Sequence, residues 1–116
     1  MKNFDKVNVK QEARIELHDL LGLTGAEISI NALPAGASVP FVHSHKQNEE
    51  IYAVLEGKGT AEIDGEKIEV SNGDWLRLSP NAKRQFFASP DTTLKYICIQ
   101  VKADSLEGYT MSDAIV

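Results

Sequence analysis

The sequence predicts an all-β protein, a barrel or a sandwich. Three observations carry that reading. The middle of the chain breaks into short runs of alternating apolar residues separated by turn residues. One break, Asp64-Gly65, lies between two runs that alternate in phase, the pattern of a tight β-hairpin. Helical periodicity is weak from end to end, and only "EARIELHDLL", residues 12–21, admits a short helical turn.

The first extended run is "AEISINAL", residues 26–33, where Ile28 and Ile30 alternate with polar neighbours until "PAG" stops it. "VPFVHSH" is the next extended piece, and after the polar loop "KQNE" comes "EIYAVLEG". In "TAEIDGEKIEV" a two-residue turn pairs Ile63 with Glu66 and Ala61 with Ile68. Ala61, Ile63, Ile68 and Val70 then share an apolar face, and Thr60, Glu62, Lys67 and Glu69 a polar one. "NGDWLRLSPNAKRQFFAS" reads as turn, strand, loop, strand, with Asp74 fixing the turn and Trp75 in the core or at an interface. The last run, "TLKYICIQV", is apolar on both faces: Tyr96, Cys98 and Gln100 on one, Ile97, Ile99 and Val101 on the other. Both faces need a cover, from the N-terminal arm or a partner subunit. With no repeat or linker, residues 1–116 read as one domain with its core at about 25–102 and a peripheral arm and tail.

Composition narrows the class. A chain of 116 residues buries roughly two-thirds of its unfolded surface, enough for a single core. Apolar and charged contents of 42% and 25% are those of a soluble globular protein. A net charge of −5, with no basic cluster beyond Lys83-Arg84 (read as a solvated loop), argues against nucleic acid. One cysteine, Cys98, excludes an intrachain disulfide and fits a reducing compartment. The N-terminus lacks the apolar core of a signal peptide and no run approaches the length of a membrane span, so a cytoplasmic protein with no membrane partner is expected.

The chemistry concentrates in "HSHKQNEE". Residues two apart on a strand point the same way, which puts His43 and His45 on one side. If "KQNE" closes a four-residue hairpin, His45 lies opposite Glu50 and His43 opposite Tyr52, and opposite residues share a face. Phe41, Tyr52 and Val54 make that face apolar, a costly place for three ionisable groups unless a cation compensates them. Two imidazoles and a carboxylate are a facial ligand set that leaves positions open on a transition metal. The same residues also fit a hairpin that happens to carry two histidines, with Glu50 at the rim and Tyr52 in the core.

These residues resemble the first motif of the cupin family: Gly36, "ASVPFV", His43, Ser44, His45, "KQNE", Glu50, "IYAVLE", Gly57. The second motif is similar to Gly73-Asp74, "WLRLS", Pro80-Asn81-Ala82, Lys83-Arg84, Gln85, "FFA", Ser89. In it Ala82 stands for a glycine, Gln85 for the fourth-ligand histidine and Ser89 for an asparagine. The resemblance implies a jelly-roll β-barrel of the small single-domain type, which tends to form a homodimer. It implies a divalent transition metal (iron, zinc, nickel or manganese) on His43, His45 and Glu50. Gln85 is then a weak neutral ligand or holds a metal-bound water. Phe41, Val54, Phe87, Tyr96 and Cys98 line the expected pocket around a small-molecule substrate, and Tyr52 is the one candidate proton donor. Within such a family the reaction is of dioxygenase, isomerase or lyase type, or the chain is a binding module without turnover, because one fold hosts many activities.

Overall fold

The Asp64-Gly65 hairpin folds in the register its pattern predicts. Strands β4 (Lys58–Ile63) and β5 (Glu66–Ser71) pair with Ala61 opposite Ile68 and Ile63 opposite Glu66. The turn residues take φ of 50° and 84°, the doubly positive pair of a type I′ turn. Strand β7 (Arg84–Ala88) flanks β4 on its other side and completes a three-stranded sheet.

The second sheet has five strands in the order β1-β2-β8-β3-β6. These are β1 (Arg14–Glu16), β2 (Glu27–Leu33), β3 (Asn48–Glu56), β6 (Trp75–Leu78) and β8 (Leu94–Lys102), all antiparallel to their neighbours. The two sheets enclose one core and form a jelly roll; the computed structural model describes residues 3–116. Among these residues no strand pairing joins the two sheets, so the barrel is not a continuous hydrogen-bonded cylinder. The segment 36–45 runs beside β7 and covers that edge through bridges from Ser38 to Phe87 and from His43 to Arg84.

Two predicted elements shift. "EARIELHDLL" splits into β1 and a four-residue helix α1 (His18–Leu21), ended by Gly22 in the left-handed region. The end of the N-terminal arm therefore belongs to the sheet, which begins at Arg14 instead of near residue 25. Beyond β8 the tail contains only a short 3-10 turn, Thr110–Ser112.

The doubly apolar β8 is explained by its place between β2 and β3. Leu94, Tyr96 and Cys98 turn into the core. On the opposite face Ile97 lies in register with Ile30 and Ala53, and Ile99 with Ile28 and Ile51, so these side chains half-bury one another. Ile15 of β1 extends the first of these rows and Trp75 of β6 ends it, 68% exposed and outside the core. On β2 this arrangement turns Ser29 and Asn31 inward, at 2% and 6% exposure, and Ile28 and Ile30 outward. Alternation along β2 is as read from the sequence; which phase faces the core is set by its neighbours.

The turn from β3 to β4 depends on Gly57. Its φ is 79°, and a Cβ there would lie 1.8 Å from the Thr93 carbonyl oxygen. Gly57→Ala combines left-handed strain with a backbone clash and is expected to cost about 2–4 kcal/mol. Urea unfolding followed by Trp75 fluorescence measures it, and a change below the resolution of the method would show that the turn relaxes freely.

Candidate metal centre

Histidines 43 and 45 reach the interior by a different route from the predicted hairpin. Strand β3 has no free edge for them, because Glu50 is paired with Gln100 on one side and with Leu78 on the other. The histidine segment pairs instead with the β6–β7 loop and the start of β7. His43 N–H donates to the Arg84 carbonyl at 3.1 Å and Arg84 N–H to the His43 carbonyl at 2.9 Å. His45 N–H donates to the Pro80 carbonyl at 2.7 Å. Between the Ser38 and His43 bridges the chain bows outward, leaving Phe41 60% exposed at the cavity mouth.

The three predicted ligands nevertheless converge. One donor atom from each of His43, His45 and Glu50 lies within 4.8 Å of the others. His45 Nε2 is 3.0 Å from Glu50 Oε2, and His43 Nε2 is 4.0 Å from Glu50 Oε1. Among the described residues, His43 Nδ1 is buried without a hydrogen-bond partner, and His45 Nε2, also buried, has no hydrogen bond beyond its close approach to Glu50 Oε2. Buried imidazole nitrogens facing a buried carboxylate are the donor set a divalent transition ion takes, so the residues fit such an ion.

Glu50 is 2% exposed and its two oxygens are unequal. Oε1 accepts from the Tyr52 hydroxyl and from Arg84 Nη1, both at 2.5 Å. Oε2 accepts only the weak Cys98 thiol at 3.3 Å and is the oxygen that faces His45. Burial would raise the Glu50 pKa, but the hydrogen bonds from Tyr52, Arg84 and Cys98 together hold it below the usual glutamate value. Burial also lowers the His43 pKa; Glu50 opposes this, while the charges of His45, Arg84 and Arg14 reinforce it.

Arg84 was missed by sequence reasoning, which placed it with Lys83 on a solvated loop. It is fully buried. Besides Glu50, its guanidinium donates to the carbonyls of Ser79 at 2.7 Å and Ala82 at 2.7 and 3.0 Å. On β7 the alternation that turns Arg84, Phe86 and Ala88 inward puts Gln85 and Phe87 in the other phase. The Gln85 amide donates to the Val39 carbonyl at 2.7 Å, and it is Arg84 that reaches Glu50. A signal for Arg84 exists in "KRQFFA": Phe86 and Ala88, two and four residues on, share its phase.

The centre opens into a cavity of about 560 Å³. Phe41, Tyr52, Tyr96, Cys98 and Gln85 line it; Val54 and Phe87 do not. Val54 lies deeper, in the core cluster, and Phe87 lies on the outward phase of β7. Phe86 and Tyr96 stack at 5.4 Å between ring centres, and Tyr52 packs on Phe86 at 4.4 Å. Burial, with Cys98 and Glu50 adding to it, pushes the Tyr52 pKa far up, so its phenol keeps its proton at physiological pH. Burial likewise pushes Cys98 and Tyr96 up to about 12. His18 stands on α1 beside Asp19, outside the cavity.

With fold and site in place, the comparisons agree. Residues 30–100 match the Cupin domain family, and the chain belongs to it. It is similar over its full length to a cupin protein from Bacteroides fragilis of known crystal structure: 66% identity, 98% of that chain covered, TM-score 0.97. It is also 35% identical over 66 residues to an uncharacterised protein, MJ1618, from Methanocaldococcus jannaschii, of whose length the match spans about half (52%, against 57% of this chain). A predicted oxalate decarboxylase from Thermotoga maritima shares the fold at 24% identity, covering 65% of this chain and 64% of that one, with TM-score 0.61. A sugar phosphate isomerase from Silicibacter pomeroyi shares it at 21%, covering 78% and 60%, with TM-score 0.68.

The charges at the centre set a pH dependence for the metal-free protein. Both folded-state pKa values are depressed, so the unfolded chain binds more protons and stability falls with falling pH. The His43 contribution is lost as pH drops below its ordinary 6.5, and that of Glu50 as pH drops below 4.5 toward its folded value. Arg84→Met leaves a buried carboxylate without its cation and is expected to cost about 3–5 kcal/mol at neutral pH. It should also flatten or reverse the acid limb, since burial then dominates Glu50. Denaturant midpoints from pH 8 to 3 measure both effects; an unchanged acid limb in the variant would refute the assignment.

Proposed function

We propose that this protein is a metal-dependent enzyme acting on a small molecule, with a divalent transition ion on His43, His45 and Glu50. One observation carries the reading: two imidazoles with buried ring nitrogens and a buried carboxylate meet at a large, mostly apolar cavity. Such an ion supplies Lewis-acid activation of a carbonyl or enol oxygen, or oxygen chemistry if it is redox-active iron. Oxygenation, isomerisation and lyase chemistry all fall in this range. The protein's own residues do the rest. Arg84 and Tyr52 fix the Glu50 carboxylate, and Gln85 ties the Val39 segment to β7 at the cavity wall. Phe86 and Tyr96 present an apolar face that excludes water from a bound substrate.

A specific observation favours a second reading, a binding module without turnover. Tyr52 donates to Glu50 and holds its proton, and Cys98 does the same, so neither serves as a general base near neutral pH. Turnover would then rest on the ion and its ligands alone.

We also propose a cytoplasmic homodimer. The apolar rows on the outer face of the five-stranded sheet support it, and among the described residues no helix is long and apolar enough to cross a membrane. Sedimentation velocity is expected to give twice the 12.7 kDa chain mass; a monomer at micromolar concentration overturns this part alone.

Elemental analysis of protein purified without an affinity tag tests the metal. Close to one equivalent of iron, zinc, nickel or manganese is expected in the native chain and less than about a tenth in His43→Ala. Retention of the metal by His43→Ala rules out the ligand set. Oxygen uptake and product analysis across small diols, diketones and organic acids then separate turnover from binding.

A further inference from the structure

The cavity has a second polar wall away from the histidines, built by β1 and β2. Arg14, in the phase of β1 opposite to Ile15, lines the cavity, as does Asn31 directly across from it. Arg14 Nη1 donates to Asn31 Oδ1 at 2.8 Å, and Asn31 Nδ2 donates to Ser29 Oγ at 3.0 Å. Asn31 and Ser29 are almost fully buried at positions where the strand pattern would otherwise put apolar side chains. A buried amide whose oxygen is spent on an arginine at a cavity wall positions that arginine. The remaining partner of Arg14 is Glu16, at 3.0 Å and 58% exposed. An ion pair that exposed is worth little and is easily exchanged. The three bonds from Nε, Nη1 and Nη2 leave a further N–H on each terminal nitrogen.

We infer that Arg14, held by Asn31, is the anion-recognition end of this cavity and takes the carboxylate of a small organic acid. The inference rests on the cavity being the ligand site proposed above. The walls between the two ends choose the class. They are aromatic and aliphatic, from Phe41, Tyr52, Phe86, Tyr96, Val39 and Leu33, so the body of the ligand is apolar. A single planar guanidinium matches a carboxylate in fork geometry. A phosphate would call for more cations than this end supplies. Electrostatics agree: Glu50 is already matched by Arg84, so among the described residues the only carboxylate set against Arg14 is the exposed and easily exchanged Glu16. Arg14 lies outside the 30–100 stretch that matches the family, so this end belongs to the chain's own N-terminal strand.

The probes are 3-phenylpropanoate and its neutral amide, titrated by calorimetry into the metal-free chain. The acid is expected to bind at least about tenfold tighter than the amide, the margin a charge-assisted hydrogen bond supplies. Arg14→Met should remove that margin, bringing the affinity for the acid down to that for the amide. Asn31→Asp, which keeps the side-chain volume and adds a competing carboxylate, should remove it as well. Because Arg14 is exposed at a sheet edge, both comparisons are made on folded protein, checked by near-UV circular dichroism. His43→Ala separates the two proposals: an acid margin that survives there stands even if the metal site fails. A margin kept in Arg14→Met and lost in His43→Ala puts the carboxylate at the imidazoles and overturns the inference. So does an equal affinity for acid and amide, or binding of neither, in the native chain.

Discussion

The buried Glu50–Arg84 pair is the constraint on which the site depends. Each charge would be prohibitive alone at this depth, and each is made tolerable by the other together with neutral donors and acceptors. The Arg84 fork does more than neutralise. By donating to the carbonyls of Ser79 and Ala82 it curls the β6–β7 loop around itself, giving that loop an internal scaffold without helix or strand. The same loop and the first residue of β7 then accept the histidine segment, through Pro80 and through Arg84's own backbone. One residue thus holds the carboxylate with its side chain and His43 with its main chain. Because both contacts come from a single, fully packed position, the distances between the donors are not free to vary independently.

This explains why the sequence was a good guide to the meeting of His43, His45 and Glu50 and a poor guide to the path. His-X-His fixes two side chains on one face, and the spacing to Glu50 and Gly57 carries the resemblance to the family; neither depends on which strand is the neighbour. The four-residue hairpin did depend on it. Strand β3 is saturated by β8 and β6, partners about 50 and 25 positions away along the chain, and no local pattern reports on such partners. Where pairing is local, as at Asp64-Gly65, the register was legible to the residue. The phase of β2 was not, since Ile28 and Ile30 look inward by hydropathy and are outward because Ser29 and Asn31 face the interior, Asn31 at the cavity wall. Arg84 escaped for the same reason: a charged side chain next to a lysine reads as solvent-facing until its buried partner is known.

Polar residues at inward positions break the binary pattern of a β core, and here they mark the half of the molecule that carries the candidate site. The opposite half of the interior, from Ala61, Val70, Ala88 and Leu94, obeys the pattern without exception and supplies the packing. Tyr52 and Phe86 stand at the boundary, with rings in the apolar cluster and, for Tyr52, a hydroxyl turned to Glu50. The aromatic layer therefore separates an apolar core from a cavity with polar groups at two ends.

That separation has an electrostatic consequence. Low-polarity walls beside fixed charges strengthen whatever field those charges produce. With Glu50 compensated by Arg84, and with Tyr52 and Cys98 keeping their protons, the centre carries no surplus negative charge of its own in the metal-free state. A divalent ion held by Oε2 and the two imidazoles would add charge that this shell does not cancel. A neutral ligand leaves that excess in place, whereas an anionic one removes it. The arginine that makes Glu50 tolerable as a buried group would thus also leave a bound ion under-neutralised, and on the proposed function ligand charge and ion occupancy would be coupled through the same buried pair.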